Sequence, residues 1–345
     1  MKSAIAIAEA GLAPDYMTRQ GIRMLLRGRL KDQADTDLVD IIRQMSEGPL
    51  AVHTESANDQ HYEVPAGFFE AMLGSRLKYS CSYYESDSTT LDEAELAMLE
   101  LTVNRAGLVD GMDILELGCG WGSLTLYMAE RFPGSRIVAV SNSNNQREFI
   151  EARVDRQGLS NVEVITADIN EFQTTQIFDR VVSIEMFEHL RNYHRLFELT
   201  SSWLKPDGRL FFHIFCHRDS PYFFSNDSDG DWMARHFFTG GTMPSWDLPL
   251  KFDEHLILDE RWRVNGNHYA LTCRDWLANL DRQRDRTLSS LKSGENPAPT
   301  RRQYHRWRMF VMACQELFAW KGGEEWFVGH YLMKPRTGGV SSVQD

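Results

Sequence analysis

Two carboxylates and an imidazole fall within the five residues Glu185-Met186-Phe187-Glu188-His189, at the end of the strand-like run Arg180 to Met186. Such a cluster is costly to gather without a use, which makes it a candidate for moving a proton and holding a cation. Histidine titrates near neutral pH and suits a general base; Glu188 would orient or charge-balance it, and Glu185 would attract and orient an ammonium. The structural alternative is that Glu188 and His189 open an exposed helix near Tyr193 to Trp203, the acid complementing its dipole. A second candidate is Ile114-Leu115-Glu116-Leu117-Gly118-Cys119-Gly120-Trp121-Gly122, an apolar strand running into three alternate glycines and then a helical segment. Without a Cβ, the glycines let backbone amides approach an adenosine-type ligand; the alternative is a tight turn that binds nothing.

These residues need a frame. Strand-like segments at Asp113 to Cys119, Arg136 to Asn142, Val162 to Asp168, Arg180 to Met186 and Gly208 to Phe215 alternate with helix-like ones. The order predicts a mostly parallel α/β sheet covered on both faces, with its ligand outside the carboxyl ends of the strands. Polar residues at those ends are candidate contacts. After the second strand, Ser141, Asn142 and Gln146 stand where dinucleotide proteins carry an acid for the ribose. After the third, Asp168 offers an acceptor for an adenine amino group and Ile169 a surface for the ring, Asp168 serving equally well as a helix N-cap.

Residues 1–60 read as a helical extension, with Met17, Ile22, Leu25 and Leu26 at near-helical spacing. Its arginines at 19, 23, 27 and 29 are expected on a solvated face rather than against lipid. Residues 61–345 form the main domain, within which 216–255 is an aromatic-rich insertion placed to cover a substrate. Two helices near 273–292 and 301–319, joined by a loop at Ser293 to Thr300, and a closing strand from Glu325 to Met333 complete it.

The formal net charge of −12 argues against nucleic-acid and anionic-membrane partners and tolerates a cationic small molecule. Cys81, Cys119, Cys216, Cys273 and Cys314 are scattered without metal-ligand spacing and read as reduced thiols. No signal pattern or long apolar run is evident, so the expectation is a cytoplasmic protein with no integral membrane association. A homodimer is admitted.

The Glu116-Leu117-Gly118-Cys119-Gly120-Trp121-Gly122 wording resembles the first motif of Rossmann-like, class I methyltransferases. Further motifs follow in order: YSCSYYESDSTTLDEAELAML (Tyr79 to Leu99), SIEMFEHL (Ser183 to Leu190), FFHIFCH (Phe211 to His217), RHFFTGGTMPS (Arg235 to Ser245), NGNHYALT (Asn265 to Thr272) and ELFAWKGGEEW (Glu316 to Trp326). Together they resemble the cyclopropane-fatty-acid-synthase superfamily of S-adenosylmethionine-dependent methyltransferases, and within it the coclaurine N-methyltransferase branch. The resemblance implies a seven-stranded sheet and S-adenosylmethionine as cofactor, leaving S-adenosylhomocysteine, with no metal. It implies cofactor contacts at Tyr79, Ser80, Gly118, Gly120, Ser141, Gln146 and Ile169, and an amine surrounded by Glu185, Glu188 and His189. Lipid-cyclopropanating members carry glycine at the position of Glu185. They hold a bicarbonate at positions matching Cys81, Glu188, His213 and Tyr269, with isoleucine where this chain has Phe215.

An alkyl amine with a pKa of about 10 is almost wholly protonated at neutral pH and has no lone pair for attack. The expected reaction is therefore base-assisted N-methylation of a small, aromatic or benzylisoquinoline-like amine, with His189 as base. Trp232, Phe237, Phe238 and Trp326 are candidate pocket walls, although core is the expectation for any one of them. The chemical alternative is methylene transfer to an unsaturated lipid, with bicarbonate at Cys81, His213 and Tyr269 as base. A cofactor-binding module without catalysis is the alternative outside enzymology.

Overall fold

The computed structural model describes residues 2–32, 37–52, 64–224, 231–292 and 297–336. Residues 53–60 of the expected helical extension, 225–230 of the insertion and 293–296 of the expected loop lie outside these. Seven strands form one sheet: β1 (Asp113–Leu117), β2 (Arg136–Ser141), β3 (Val162–Thr166), β4 (Phe178–Ile184), β5 (Leu204–His217), β8 (Leu256–Val264) and β9 (Trp326–Pro335), in the order β3-β2-β1-β4-β5-β9-β8. The first five are mutually parallel, and β9 and β8 are antiparallel to their neighbours. A separate two-stranded sheet, β6 (Tyr222–Phe223) with β7 (Thr242–Met243), lies in the insertion.

Both faces of the sheet are covered, so its central strands are rich in buried apolar residues: Ile114, Leu115, Leu117, Val181, Val182, Phe211 and Phe212. Strand β8, absent from the expected set, alternates poorly and carries Asp259, Glu260, Arg261 and Arg263; charges are tolerated there because it is the sheet edge. The helix Leu91–Ala106 is started by a capping box between Thr90 and Glu93 and stopped by left-handed Gly107, which fixes its length. The expected helix 273–292 is two, Gly266–Arg282 and Arg284–Ser290, the first opened by the Asn265 side chain accepting from Asn267 N–H. The next helix begins at Pro297, not 301.

The N-terminal arginines keep a partly exposed face, as expected, and also tie the helix down. Arg19 and Arg23 both pair with Glu316, at 2.7 and 2.5 Å, and Arg29 reaches Asp231 at 3.4 Å, while Arg27 lies over the Trp320 ring. With Glu9 accepting from Trp232 Nε1 and Arg306, the helical start is tied to the helix Pro297–Phe318 and to the insertion. Among the described residues no helix is long and apolar enough to cross a membrane.

Candidate active site

A cleft of about 1080 Å³, continuous with solvent, opens at the carboxyl ends of β1 and β4. Of the expected contacts it gathers Tyr79, Ser80, Gly118, Gly120, Gln146, Glu185, His189 and Tyr269. It also collects Lys78, Glu116, Trp276, Phe310, Val311 and Cys314, which sequence reading did not single out as site residues. Lys78 had a local signal, a lone cation in the otherwise uncharged Leu77-Lys78-Tyr79-Ser80-Cys81; Phe310 and its helix neighbours had none.

The glycine loop fits close approach of the cofactor to the backbone. Gly118 and Gly120 take φ of +76° and +52°, conformations that strain other residues, and a Cβ built on Gly118 would meet the Met186 side chain at 2.9 Å. A Cβ on Gly120 meets nothing within 4 Å and would project into the open cleft. That is a cradle shaped for close approach of a ligand to the backbone, and Gly120→Val is expected to abolish or greatly weaken S-adenosylmethionine binding by calorimetry. Unchanged affinity in the folded variant contradicts the assignment.

Several expected contacts stand one layer back. The Ser141 hydroxyl donates to Gln146 Oε1 at 2.7 Å and accepts from Ser143 N–H, so it sets the Gln146 side chain and does not itself line the cleft. Asn142 is half-buried and also off the lining. Asp168 Oδ1 accepts from the backbone and side chain of Asn170, capping a turn and not a helix, and Ile169 is buried beside it. Of the four aromatic candidates, Phe238 lines the cleft; Trp232, Phe237 and Trp326 are core.

Glu188 corrects the expectation most plainly. It is fully buried, with Oε1 accepting from Phe215 N–H at 2.7 Å and Oε2 without a hydrogen-bond partner among the described residues, so it does not orient the imidazole of His189. Burial, reinforced by the nearby Glu185, pushes its carboxyl well above the usual range, which weakens it as a counter-charge for the imidazole. The cause is local. Phe187–His189 is a 3₁₀ turn, where successive side chains diverge by about 120°, so Glu188 points inward while His189 faces the cleft. The His189 ring is held by stacking on Phe238, with centroids 5.2 Å apart and planes within 8°.

Glu185 is the hub. Its Oε1 accepts from Cys81 N–H at 2.9 Å and faces His213 Nε2 at 3.1 Å; its Oε2 accepts from Tyr269 O–H at 2.6 Å. A carboxylate offers about four lone-pair sites, so about one, on Oε2, is left for a ligand in the cleft. Burial raises its pKa, opposed first by the charge of Lys78 and then by these donors. Lys78 is itself 3% exposed, donating to Ser80 Oγ and to the Cys81 carbonyl at 2.6 Å. Glu185 also has φ of +48°, a left-handed conformation for a non-glycine residue, of order 1–3 kcal/mol in cost. A side chain kept at such a position is a candidate for function.

Glu116, buried at the foot of the glycine loop, accepts from Thr125 O–H at 2.5 Å, and burial lifts its pKa to about 8. Its folded pKa exceeds the unfolded one, so the folded state holds a proton that the unfolded state releases as pH rises above about 4.5; stability is lost between there and about 8. Glu116→Gln keeps an acceptor for Thr125 and should flatten that decline, being more stable than wild type at pH 8 by an amount of order a few kcal/mol. Parallel denaturation curves of the two proteins across this window contradict the account. Among the described residues the one group with metal-ligand proximity, His194, Glu254 and His255, lies away from the cleft lining.

The sheet order, the glycine loop at the end of β1 and the cleft above it define a class I, Rossmann-like methyltransferase dependent on S-adenosylmethionine. Residues 51–324 match the family model for mycolic acid cyclopropane synthetase, and the chain belongs to that family. It is similar to (S)-coclaurine N-methyltransferase of Thalictrum flavum subsp. glaucum, 37% identical over 95% of this chain and 94% of the relative. It is also similar to cyclopropane mycolic acid synthase 1 of Mycobacterium tuberculosis (strain ATCC 25618 / H37Rv), 28% identical over 75% and 90%. Among solved structures, coclaurine N-methyltransferase bound to N-methylheliamine and SAH superposes with a TM-score of 0.90 at 35% identity, covering 96% of this chain and 99% of that one.

Proposed function

We propose that this enzyme transfers a methyl group from S-adenosylmethionine to the nitrogen of a small, benzylisoquinoline-like amine in the cytoplasm. The observation that carries the reading is the Glu185 carboxylate seated on Cys81 N–H, His213 and Tyr269 O–H. The family resemblance implies that these positions hold bicarbonate in lipid-cyclopropanating members, and here a side chain of the protein consumes their donors. The site thus has a fixed anion of its own, suited to an ammonium.

The cofactor supplies an electrophilic methyl group on a sulfonium; the chain supplies alignment, charge and a base. Tyr79, Ser80, Gly118, Gly120 and Gln146 line the cleft and would hold it. The remaining lone pair of Glu185 Oε2 accepts from the substrate ammonium and orients its nitrogen. His189, on the same cleft, takes the proton so that the nitrogen lone pair is free for in-line attack. Phe215, Phe238 and Phe310 give the cleft aromatic walls that exclude water and pack on an aromatic substrate. The insertion at 216–255, which contributes Phe238, acts as cover.

The test is mass spectrometry of the purified protein with isotopically labelled S-adenosylmethionine, offered a benzylisoquinoline-type amine and an unsaturated phospholipid. A labelled methyl on nitrogen is expected. A methylene across the lipid double bond, with no change to the amine, refutes the reading; cofactor binding with neither product points to a non-catalytic module.

A further inference from the structure

Behind Glu185 runs a line of hydrogen bonds whose direction is forced by chemistry. Arg105, near the end of the helix Leu91–Ala106, places Nη1 2.9 Å from His330 Nδ1. His330 Nε2 lies 3.1 Å from His213 Nδ1, and His213 Nε2 lies 3.1 Å from Glu185 Oε1. The sheet register builds this line: His213 on β5 is paired directly with His330 on β9 and with Ile184 of β4, the residue before Glu185. The Arg105 guanidinium is steadied over the Trp262 ring of β8 at 5.2 Å.

A guanidinium only donates. His330 Nδ1 must therefore accept, which leaves the proton of this imidazole on Nε2. That N–H points at His213 Nδ1, which must accept in turn and puts the His213 proton on Nε2, aimed at Glu185. A second proton on either ring would set N–H against N–H, on His330 against the Arg105 guanidinium and on His213 against His330 Nε2–H; burial acts in the same direction, lowering both pKa values. Without Arg105 either tautomer of either ring would be admissible, and one of them would turn a lone pair toward the Glu185 carboxylate.

We propose that Arg105 and His330 are positioning residues for methyl transfer, fixing His213 as an N–H donor to Glu185 so that this carboxylate stays anchored with one lone pair toward the cleft. The proposal rests on the reading of Glu185 as the substrate-facing anion. Neither residue lines the cleft, and neither touches the reacting atoms.

Long-range proton–nitrogen NMR of the wild-type protein with ¹⁵N-labelled histidine tests the orientation without any turnover. Both His213 and His330 are expected as neutral Nε2–H tautomers. Arg105→Met should convert them to a tautomer mixture, raise KM for the amine and lower kcat/KM by about 3- to 10-fold, less than full loss of a hydrogen bond to a charged group because only part of the mixture turns a lone pair toward Glu185. S-adenosylmethionine affinity should change less than the amine parameters, and Arg105→Lys, which restores a cationic donor, should recover both spectrum and rate. A wild-type spectrum with His213 as the Nδ1–H tautomer overturns the proposal even if the variants fail to fold. So does an Arg105→Met protein with unaltered tautomers and kinetics. A wild-type enzyme that shows both Nε2–H signals yet methylates no amine keeps the donor line and overturns its assigned part in methyl transfer, together with the amine reading.

Discussion

His189→Ala is expected to lower amine turnover by roughly 10² to 10⁴, the range for loss of a general base, equivalent to about 3–5 kcal/mol of transition-state stabilisation. The substituted ring lies on the cleft, stacked on Phe238, and takes no part in the glycine loop, so S-adenosylmethionine binding should persist. Recovery toward high pH is part of the expectation, because the fraction of substrate already deprotonated rises as its pKa of about 10 is approached. Steady-state kinetics with calorimetric cofactor binding separate the two effects. A variant with wild-type kcat at neutral pH removes His189 from the mechanism as the obligatory base.

The second large effect is expected of Glu185→Gln, which preserves the outline of the side chain and removes its charge. A hydrogen bond to a charged partner contributes about 1.5–3 kcal/mol, so kcat/KM for the amine should fall by roughly 10- to 150-fold. The pH profile carries a second signature. Burial sets the Glu185 carboxyl above its ordinary range, so in wild type the ionised, ammonium-binding form and hence activity grow as pH rises through that raised value. Glu185→Gln has nothing to ionise there, and that limb should vanish from its profile. A variant that retains the limb and the wild-type kcat/KM shows that Glu185 is a structural brace alone.

Much of the frame was legible because its signals are local. The strand-glycine-helix run at Ile114 to Gly122 and the alternation from 113 to 217 come from short-range constraints, and β1 to β5 lie within a few residues of their expected bounds. Glu185 and His189 were legible for the same reason, as titratable groups at a strand end. The side on which each points was not: a single 3₁₀ turn sends Glu188 to Phe215 N–H, and nothing in Phe187-Glu188-His189 announces that turn. Lys78, Arg105, Phe310 and His330 were missed as site residues for another reason. They come from three helical or loop segments and the antiparallel β9, and only tertiary packing brings Lys78 and Phe310 to the cleft and Arg105 and His330 behind it. The ion pairs of the N-terminal arginines were not legible for the same reason, since their partners Asp231 and Glu316 lie some 200 to 300 residues away.

In the proposed function the Glu185 carboxylate takes the seat of an exchangeable anion and makes the site one for amines. Amine turnover by the wild-type enzyme, measured in degassed bicarbonate-free buffer and again after bicarbonate is added back, addresses it most directly. Glu185 already occupies the donors of Cys81, His213 and Tyr269, so the two rates should be equal. A rate that collapses without bicarbonate and returns with it contradicts the account, because the base would then be the ion rather than the protein.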